Sequence, residues 1–241
     1  MSRTPDSPSQ PVDDERPRRS RRVDRDPPRS RGPGRRAVIL AAAAAALGGA
    51  GYLAHEDLER WWWRMPGKQR DRTPGAVDHP GAEWVPASEE NYHRADRPYD
   101  WEIDKVVIHM VQGSYDVALK VFQDPEHGAA AHYVVRAEDG HVAQMIRELD
   151  IGHHAGNLDY NRRSIGIEHE GFVDRPENFS DAMYRSSAKL TAGICARYDI
   201  PVDRDHLLAH HEVPGADHTD PGPHWDWDRY LDLVREAVAK R

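Results

Sequence analysis

A mixed α/β fold, with a central β-sheet flanked by helices, is what this 241-residue chain predicts. Three observations carry that expectation. Val106-Val107-Ile108-His109 is a compact β-branched run with charge before it and Gly113 after it, the pattern of a buried central strand. Residues 164–170 (SIGIEHE) alternate like a second strand. Residues 180–198 and 227–239 repeat apolar side chains at helical spacing. Strands interleaved with helices favour one sheet with helices packed on it.

Taken in order, the folded part starts near Trp84. After the strand at 106–109, residues 115–122 have the apolar spacing of a helix. HYVVR (132–136) and VAQMI (142–146) flank Glu138-Asp139-Gly140, a hairpin signal. Ser180 can cap the helix that follows, in which Met183, Tyr184, Leu190 and Ile194 fall near one face. Residues 206–210 lead into a loop rich in glycine and proline, and the chain closes on a helix with Tyr230, Leu231, Val234 and Val238 on one face.

The N-terminal third reads differently. Residues 1–36 are rich in Pro, Ser, Arg and Asp and cannot bury enough apolar surface to offset their ordering entropy, so they are expected to be a disordered basic region. Residues 37–54 (AVILAAAAAALGGAGYLA) are uncharged and follow Arg35-Arg36, which resembles a twin-arginine export signal. A single membrane anchor is the alternative, at the lower edge of spanning length, and a soluble alanine helix is a third. Residues 55–83 read as a linker, in which Trp61-Trp62-Trp63 suit either a membrane interface or the folded domain. The expected organisation is one folded domain at 84–241, exported or anchored at the outer face of the membrane, and monomeric.

The formal net charge of -8, from 33 basic and 41 acidic residues, argues against nucleic acid as partner. The single cysteine, Cys195, excludes an intramolecular disulfide and sits on an apolar helical face as a small hydrophobe. With no Gly-x-Ser-x-Gly elbow, a serine or cysteine hydrolase is disfavoured.

The chemistry concentrates in residues 210–223, HHEVPGADHTDPGP. Metal ligands and proton carriers alternate there with turn residues. Together with His109 and Glu168, each near the end of a strand, they supply the parts of a three-ligand catalytic zinc site with an open fourth position. His109 would project from the sheet end, while His210 and Asp220 flank a loop that turns on Pro214-Gly215. His211 rivals His210, because neighbours on an extended segment point to opposite sides. Alternation puts Glu168 and Glu170 on one strand face, for acid/base work, for metal binding or simply for solvent.

As a set, VVIHMVQG, AAHYVV, GHHAGN, SIGIEHEG and HHEVPGADHTDPGPHWDW resemble the type-2 N-acetylmuramoyl-L-alanine amidases, relatives of the peptidoglycan-recognition proteins, in order and from about Trp84 to the C-terminus. The resemblance implies a zinc enzyme that cleaves the amide between N-acetylmuramic acid and L-alanine, with peptidoglycan or muropeptides as partner. It implies His109, His210 and Asp220 as zinc ligands and Glu168 as the catalytic carboxylate. His218 matches a catalytic position that is often lysine in relatives, so a histidine there departs from that version. His154 matches a groove residue that contacts substrate, and Asn157 and Trp225 are further candidates for the groove wall. A non-catalytic peptidoglycan-binding module is the rival reading, but relatives of that kind typically lack a zinc ligand.

Overall fold

The computed structural model describes residues 73–241. The basic region 1–36, the apolar segment 37–54 and the tryptophan run lie outside them. Along the described chain the strands are β1 (Glu83–Trp84), β2 (Tyr92–His93), β3 (Lys105–Met110), β4 (Tyr133–Val135), β5 (Val142–Gln144), β6 (Ile151–Gly152), β7 (Ser164–His169) and β8 (Leu207–Ala209). The helices are α1 (Tyr115–Gln123), α2 (Leu158–Arg163), α3 (Asp181–Tyr198) and α4 (Trp227–Ala239).

Six strands form one sheet in the order β1-β5-β4-β7-β3-β8, and β2 pairs with β6 alone. The sheet is mixed. β4 and β5 are antiparallel, whereas β4–β7, β7–β3 and β3–β8 are parallel. The expected hairpin is therefore present, and Gly140 in its turn has φ 72°, the left-handed region that favours glycine. A Cβ there would also stand 2.5 Å from the Ala182 carbonyl.

β3 is buried on both faces, which is why it reads as a continuous apolar run rather than an alternating one. Val106 and Ile108, with Ile165 and Ile167 of β7, pack against Met183, Tyr184 and Leu190 of α3 and Tyr230, Leu231 and Val234 of α4. Each such side chain fully buried contributes about 1.5–3 kcal/mol. Behind the other face, Val134, Ala143 and Met145 pack against Tyr115, Ala118 and Phe122 of α1. Ser180 caps α3 as expected, accepting from the Met183 N–H. Cys195 is buried in this core, and burial pushes its thiol up to about 12. Val238 is exposed instead, because the last turn of α4 runs past the core.

Residues 73–83, expected as linker, lie against the domain. His79 is buried, and Asp78 accepts hydrogen bonds from Arg147 Nε (3.0 Å), Arg147 Nη2 (2.9 Å), Gln144 Nε2 (2.6 Å) and the Glu148 N–H (2.9 Å). Burial by itself would raise the Asp78 pKa, but these donors, Arg147 foremost, outweigh it and hold the carboxyl below its ordinary value. A depressed folded pKa stabilises above the unfolded value and is lost as pH falls through the folded one. Asp78→Asn should therefore lower stability by roughly 2 kcal/mol near neutrality, with the difference from wild type shrinking below about pH 3.8 in thermal melts. Equal melting at pH 7 would show that this anchor is not stabilising.

Candidate active site

Three chain segments meet at the carboxyl ends of the parallel strands, the usual place for a site in such sheets. The β3–β7 register sets His109 directly beside Glu168. Since Ile108 and Ile167 face α3 and α4, the alternation of side chains puts His109 and Glu168 on the other face. β8 pairs with β3 up to Ala209 opposite Ile108, so His210 emerges next to His109. The short 3-10 turn His210–Glu212 is held by Glu212, whose carboxylate accepts from the Ala209 N–H (2.8 Å) and from Arg204 (2.6 and 2.7 Å). Asp220 returns to the same point, tied there by Met110 N–H to Asp220 Oδ2 (3.2 Å) and His211 N–H to the Asp220 carbonyl (3.2 Å).

His210 Nδ1 lies 3.1 Å from Asp220 Oδ1, and His109 Nδ1 lies 3.4 Å from Asp220 Oδ2. One ligand atom from each of His109, His210 and Asp220 falls within 4.8 Å of the others, and all three residues are buried. His211 turns elsewhere, its Nδ1 meeting the Asp220 backbone carbonyl at 3.1 Å. The two neighbours are thus separated by the turn that buries one ring and leaves the other exposed.

Burial pushes the His109 imidazole below its usual value, with Asp220 opposing. For Asp220 burial works the other way and would raise the pKa, but hydrogen bonds to His109 and His210 prevail and hold the carboxyl far below the ordinary range. A buried carboxylate whose side-chain partners are two imidazoles is a donor set that suits a zinc ion. The Nδ1 atoms that point at it either share protons with it or, deprotonated, face a cation. His210 Nε2 is buried and unpartnered among the described residues.

Glu168 borders this point with Oε2 buried and without a hydrogen-bond partner. Burial first, and the Asp220 charge second, push its carboxyl well above the ordinary value. Glu170 has a different task, because its two oxygens accept from the Tyr115 and Ala137 N–H groups and hold the start of α1 to the sheet.

A cleft of about 760 Å³ opens over these residues, with His109, Glu168, His210 and Asp220 among its walls and an apolar side from Val117, Val121 and Phe122. His218 lines it as well. Its exposed ring lies 4.5 Å from that of His210, and its Nε2 is 3.6 Å from Asp217 Oδ1.

The three expected groove residues divide. His154 touches the cleft but is buried, its Nδ1 3.0 Å from His109 Nε2. Asn157 caps α2, accepting from the Asp159 and Tyr160 N–H groups, and its Nδ2 donates to the Pro214 carbonyl at 2.9 Å. It braces the loop that precedes Asp220 and is not in the cleft wall. Trp225 is corrected outright: it is 4% exposed, packed in the core beside Tyr184 (4.7 Å) and Tyr230 (4.9 Å). An aromatic ring between His224 and Asp226 reads equally well as wall or core until the helices are in place.

Sequence reasoning missed His169, which pins the backbone of His109. Its Nδ1–H donates to the His109 carbonyl at 2.8 Å, and its Nε2 accepts from the Ser187 hydroxyl at 2.7 Å. Burial lowers this imidazole to about 3, so it stays neutral. Only its place on the α3 side of β7, opposite Glu168, could have suggested the role.

The family model described as N-acetylmuramoyl-L-alanine amidase matches residues 99–223. N-acetylmuramoyl-L-alanine amidase A of Achromobacter lyticus is 35% identical over 176 residues, covering 66% of this chain and 96% of that protein. The 1,6-anhydro-N-acetylmuramyl-L-alanine amidase AmpD of Haemophilus influenzae is 32% identical over 112 residues, 44% of this chain and 59% of its own. Among solved structures, a selenomethionine derivative of AmpD superposes with a TM-score of 0.55 at 26% identity, over 65% of this chain and 96% of that one. The chain belongs to the N-acetylmuramoyl-L-alanine amidase family, and its mixed sheet flanked by helices is the fold of that family.

An acid whose folded pKa is raised binds its proton more tightly in the native state, so stability falls as pH rises from the unfolded value to the folded one. Glu168→Gln removes that loss. Metal-free Glu168→Gln should melt a few degrees above metal-free wild type at pH 7, equivalent to at least about 1 kcal/mol, and coincide with it at pH 4. Coincident melts at both pH values would mean that Glu168 ionises as freely as a surface carboxylate.

Proposed function

We propose that the protein is an exported, zinc-dependent amidase that hydrolyses the bond between N-acetylmuramic acid and L-alanine in peptidoglycan or its fragments. The observation that carries this reading is the convergence of His109, His210 and Asp220 within 4.8 Å beside Glu168 in the wall of an open cleft. Membership of the amidase family supports the substrate class. Export rests on Arg35-Arg36 and the apolar stretch 37–54. Among the described residues no helix is long and apolar enough to cross a membrane.

His109, His210 and Asp220 would hold the zinc. When bound there, zinc supplies Lewis-acid polarisation of the scissile carbonyl and brings the pKa of a water toward about 7. Glu168 takes the proton of the attacking water at its unpartnered Oε2 and returns it to the departing amine. His218, on the cleft side of His210, donates a hydrogen bond to the carbonyl oxygen as negative charge develops on it. The apolar side from α1 offers contact to the non-reacting parts of a glycopeptide.

The direct test incubates purified protein with cell-wall sacculi, with and without a chelator, and identifies products by mass. Stem peptides with a free L-alanine amine should be released, and chelation should stop the release until zinc is restored. Glu168→Gln should keep its zinc and lose about a hundred- to ten-thousand-fold in rate. Undiminished release after complete zinc removal would overturn the reading.

Metal analysis tests the ligand set. His109→Ala, His210→Ala and Asp220→Ala should each lose zinc, while His211→Ala keeps a full equivalent, because only its ring faces away from the shared point. A zinc-free His211→Ala beside a loaded His210→Ala would reverse the assignment.

A further inference from the structure

From the proposed metal ligands a row of imidazoles runs back to His154 and His132, which the reaction does not use. Ring centroids are 4.4 Å apart for His210 and His109, 5.1 Å for His109 and His154, and 5.5 Å for His154 and His132. His109 and His154 also share a hydrogen bond, Nε2 to Nδ1, at 3.0 Å. One hydrogen lies between those two nitrogens, and the surroundings decide which ring carries it.

Donor accounting starts at the far end. The Ser164 hydroxyl donates to the Tyr160 carbonyl at 2.5 Å, so toward His154 Nε2, 3.3 Å away, Ser164 offers only a lone pair. A neutral His154 therefore carries its single hydrogen on Nε2 and presents Nδ1 as an acceptor. While no metal is bound, the Asp220 carboxylate, which only accepts, competes by drawing a hydrogen to His109 Nδ1 at 3.4 Å. A metal on Nδ1 removes that competition and leaves His109 Nε2–H, donated to His154 Nδ1, as the one arrangement.

The His154 ring is itself fixed in place. The Asn161 side-chain oxygen accepts from the His154 and Ala155 N–H groups at 3.1 and 2.7 Å. Under the ring lies Gly166 of β7, where an added Cβ would stand 2.6 Å from His154 Cγ and Nδ1. Gly166 is flat extended strand with no unusual φ, so turn chemistry does not account for a glycine there. Admission of the imidazole does.

We propose that His154 is a positioning residue which fixes His109 in the Nε2–H tautomer, leaving Nδ1 ready to bind metal, and that Gly166 is the opening in β7 that admits its ring. This rests on the reading of His109, His210 and Asp220 as a metal site. Groups that fix a ligand's tautomer typically change metal affinity by about ten- to a hundred-fold.

The test uses the full chain with zinc alone as probe, measuring affinity by competition with a chromophoric chelator. His154→Leu, which has no acceptor, should weaken zinc binding by about ten- to a hundred-fold. His154→Asn, whose Oδ1 can stand near the place of Nδ1, should recover most of it. Gly166→Ala should behave like His154→Leu, because the displaced ring no longer reaches His109. A role confined to packing would leave Leu and Asn alike. Imidazole 15N spectra of the zinc-loaded wild type give a measurement independent of any variant's folding, and His154 should carry its hydrogen on Nε2, with Nδ1 accepting from His109 Nε2–H. A zinc-loaded His154 protonated on Nδ1, or tight wild-type zinc binding unchanged in His154→Leu, overturns the positioning role alone. A wild type that binds no zinc overturns the metal reading beneath it.

Discussion

Parallel pairing of β3 with β7, Lys105 opposite Ser164 through Met110 opposite His169, is the constraint on which the site depends. The register sets His109 beside Glu168 and, one residue earlier, Ile108 beside Ile167. One face of the pair closes the core under α3 and α4, and the other supplies a histidine and a glutamate to the cleft. A slip of one residue would exchange the two faces, burying the glutamate among aliphatic side chains and turning the isoleucines toward water. The apolar face thus enforces the placement of His109 and Glu168 on the cleft side. β8 extends the same logic on the other edge of β3, where pairing ends at Ala209 so that His210 leaves the sheet level with His109.

Holding so many ionisable groups out of water requires that most of them be neutral or fully partnered. His132, His154 and His169 are all buried, and burial lowers each of them, His132 and His169 to about 3. Arg97 behind them is fully buried, its guanidinium donating to the carbonyls of Ser164 (2.8 Å), Arg162 (3.0 Å) and Glu148 (2.8 Å). These partners tie the β6–α2 region to the start of β7, giving the cleft floor a rigid backing. Glu168 keeps a buried carboxyl oxygen with no partner, as His210 Nε2 and Arg97 Nε also do, and burial together with the neighbouring Asp220 carboxylate raises its proton affinity.

Much of this was legible in the chain. The compact run 106–109, the alternation of 164–170 and the apolar spacing of 180–198 each report one-dimensional periodicity, and each became the expected element. Short pieces escaped. α2 has six residues and β1, β2 and β6 two each, too few for a period to show. Residues 73–83 read as linker because their anchor is a single carboxylate, Asp78, whose donors lie more than sixty positions away.

The site divides in the same way. By itself the sequence determined which side chains could carry the chemistry, because a strand end bearing histidine, a Gly-Ile-Glu strand and a proline-rich loop with histidine and aspartate are local signals. Tertiary structure alone decided which of them meet. The His210 ring rather than the His211 ring reaches the Asp220 carboxylate, because a turn held by Glu212 and Arg204 buries one ring and not its neighbour. Trp225 went to the core and Asn157 to a helix cap, since each found partners there that no local pattern encodes. Gly166 reads in sequence as a small residue in a strand, and its reason becomes visible only when His154, twelve positions earlier, folds back over it. Periodicity is a property of neighbours in the chain, whereas convergence is a property of neighbours in space.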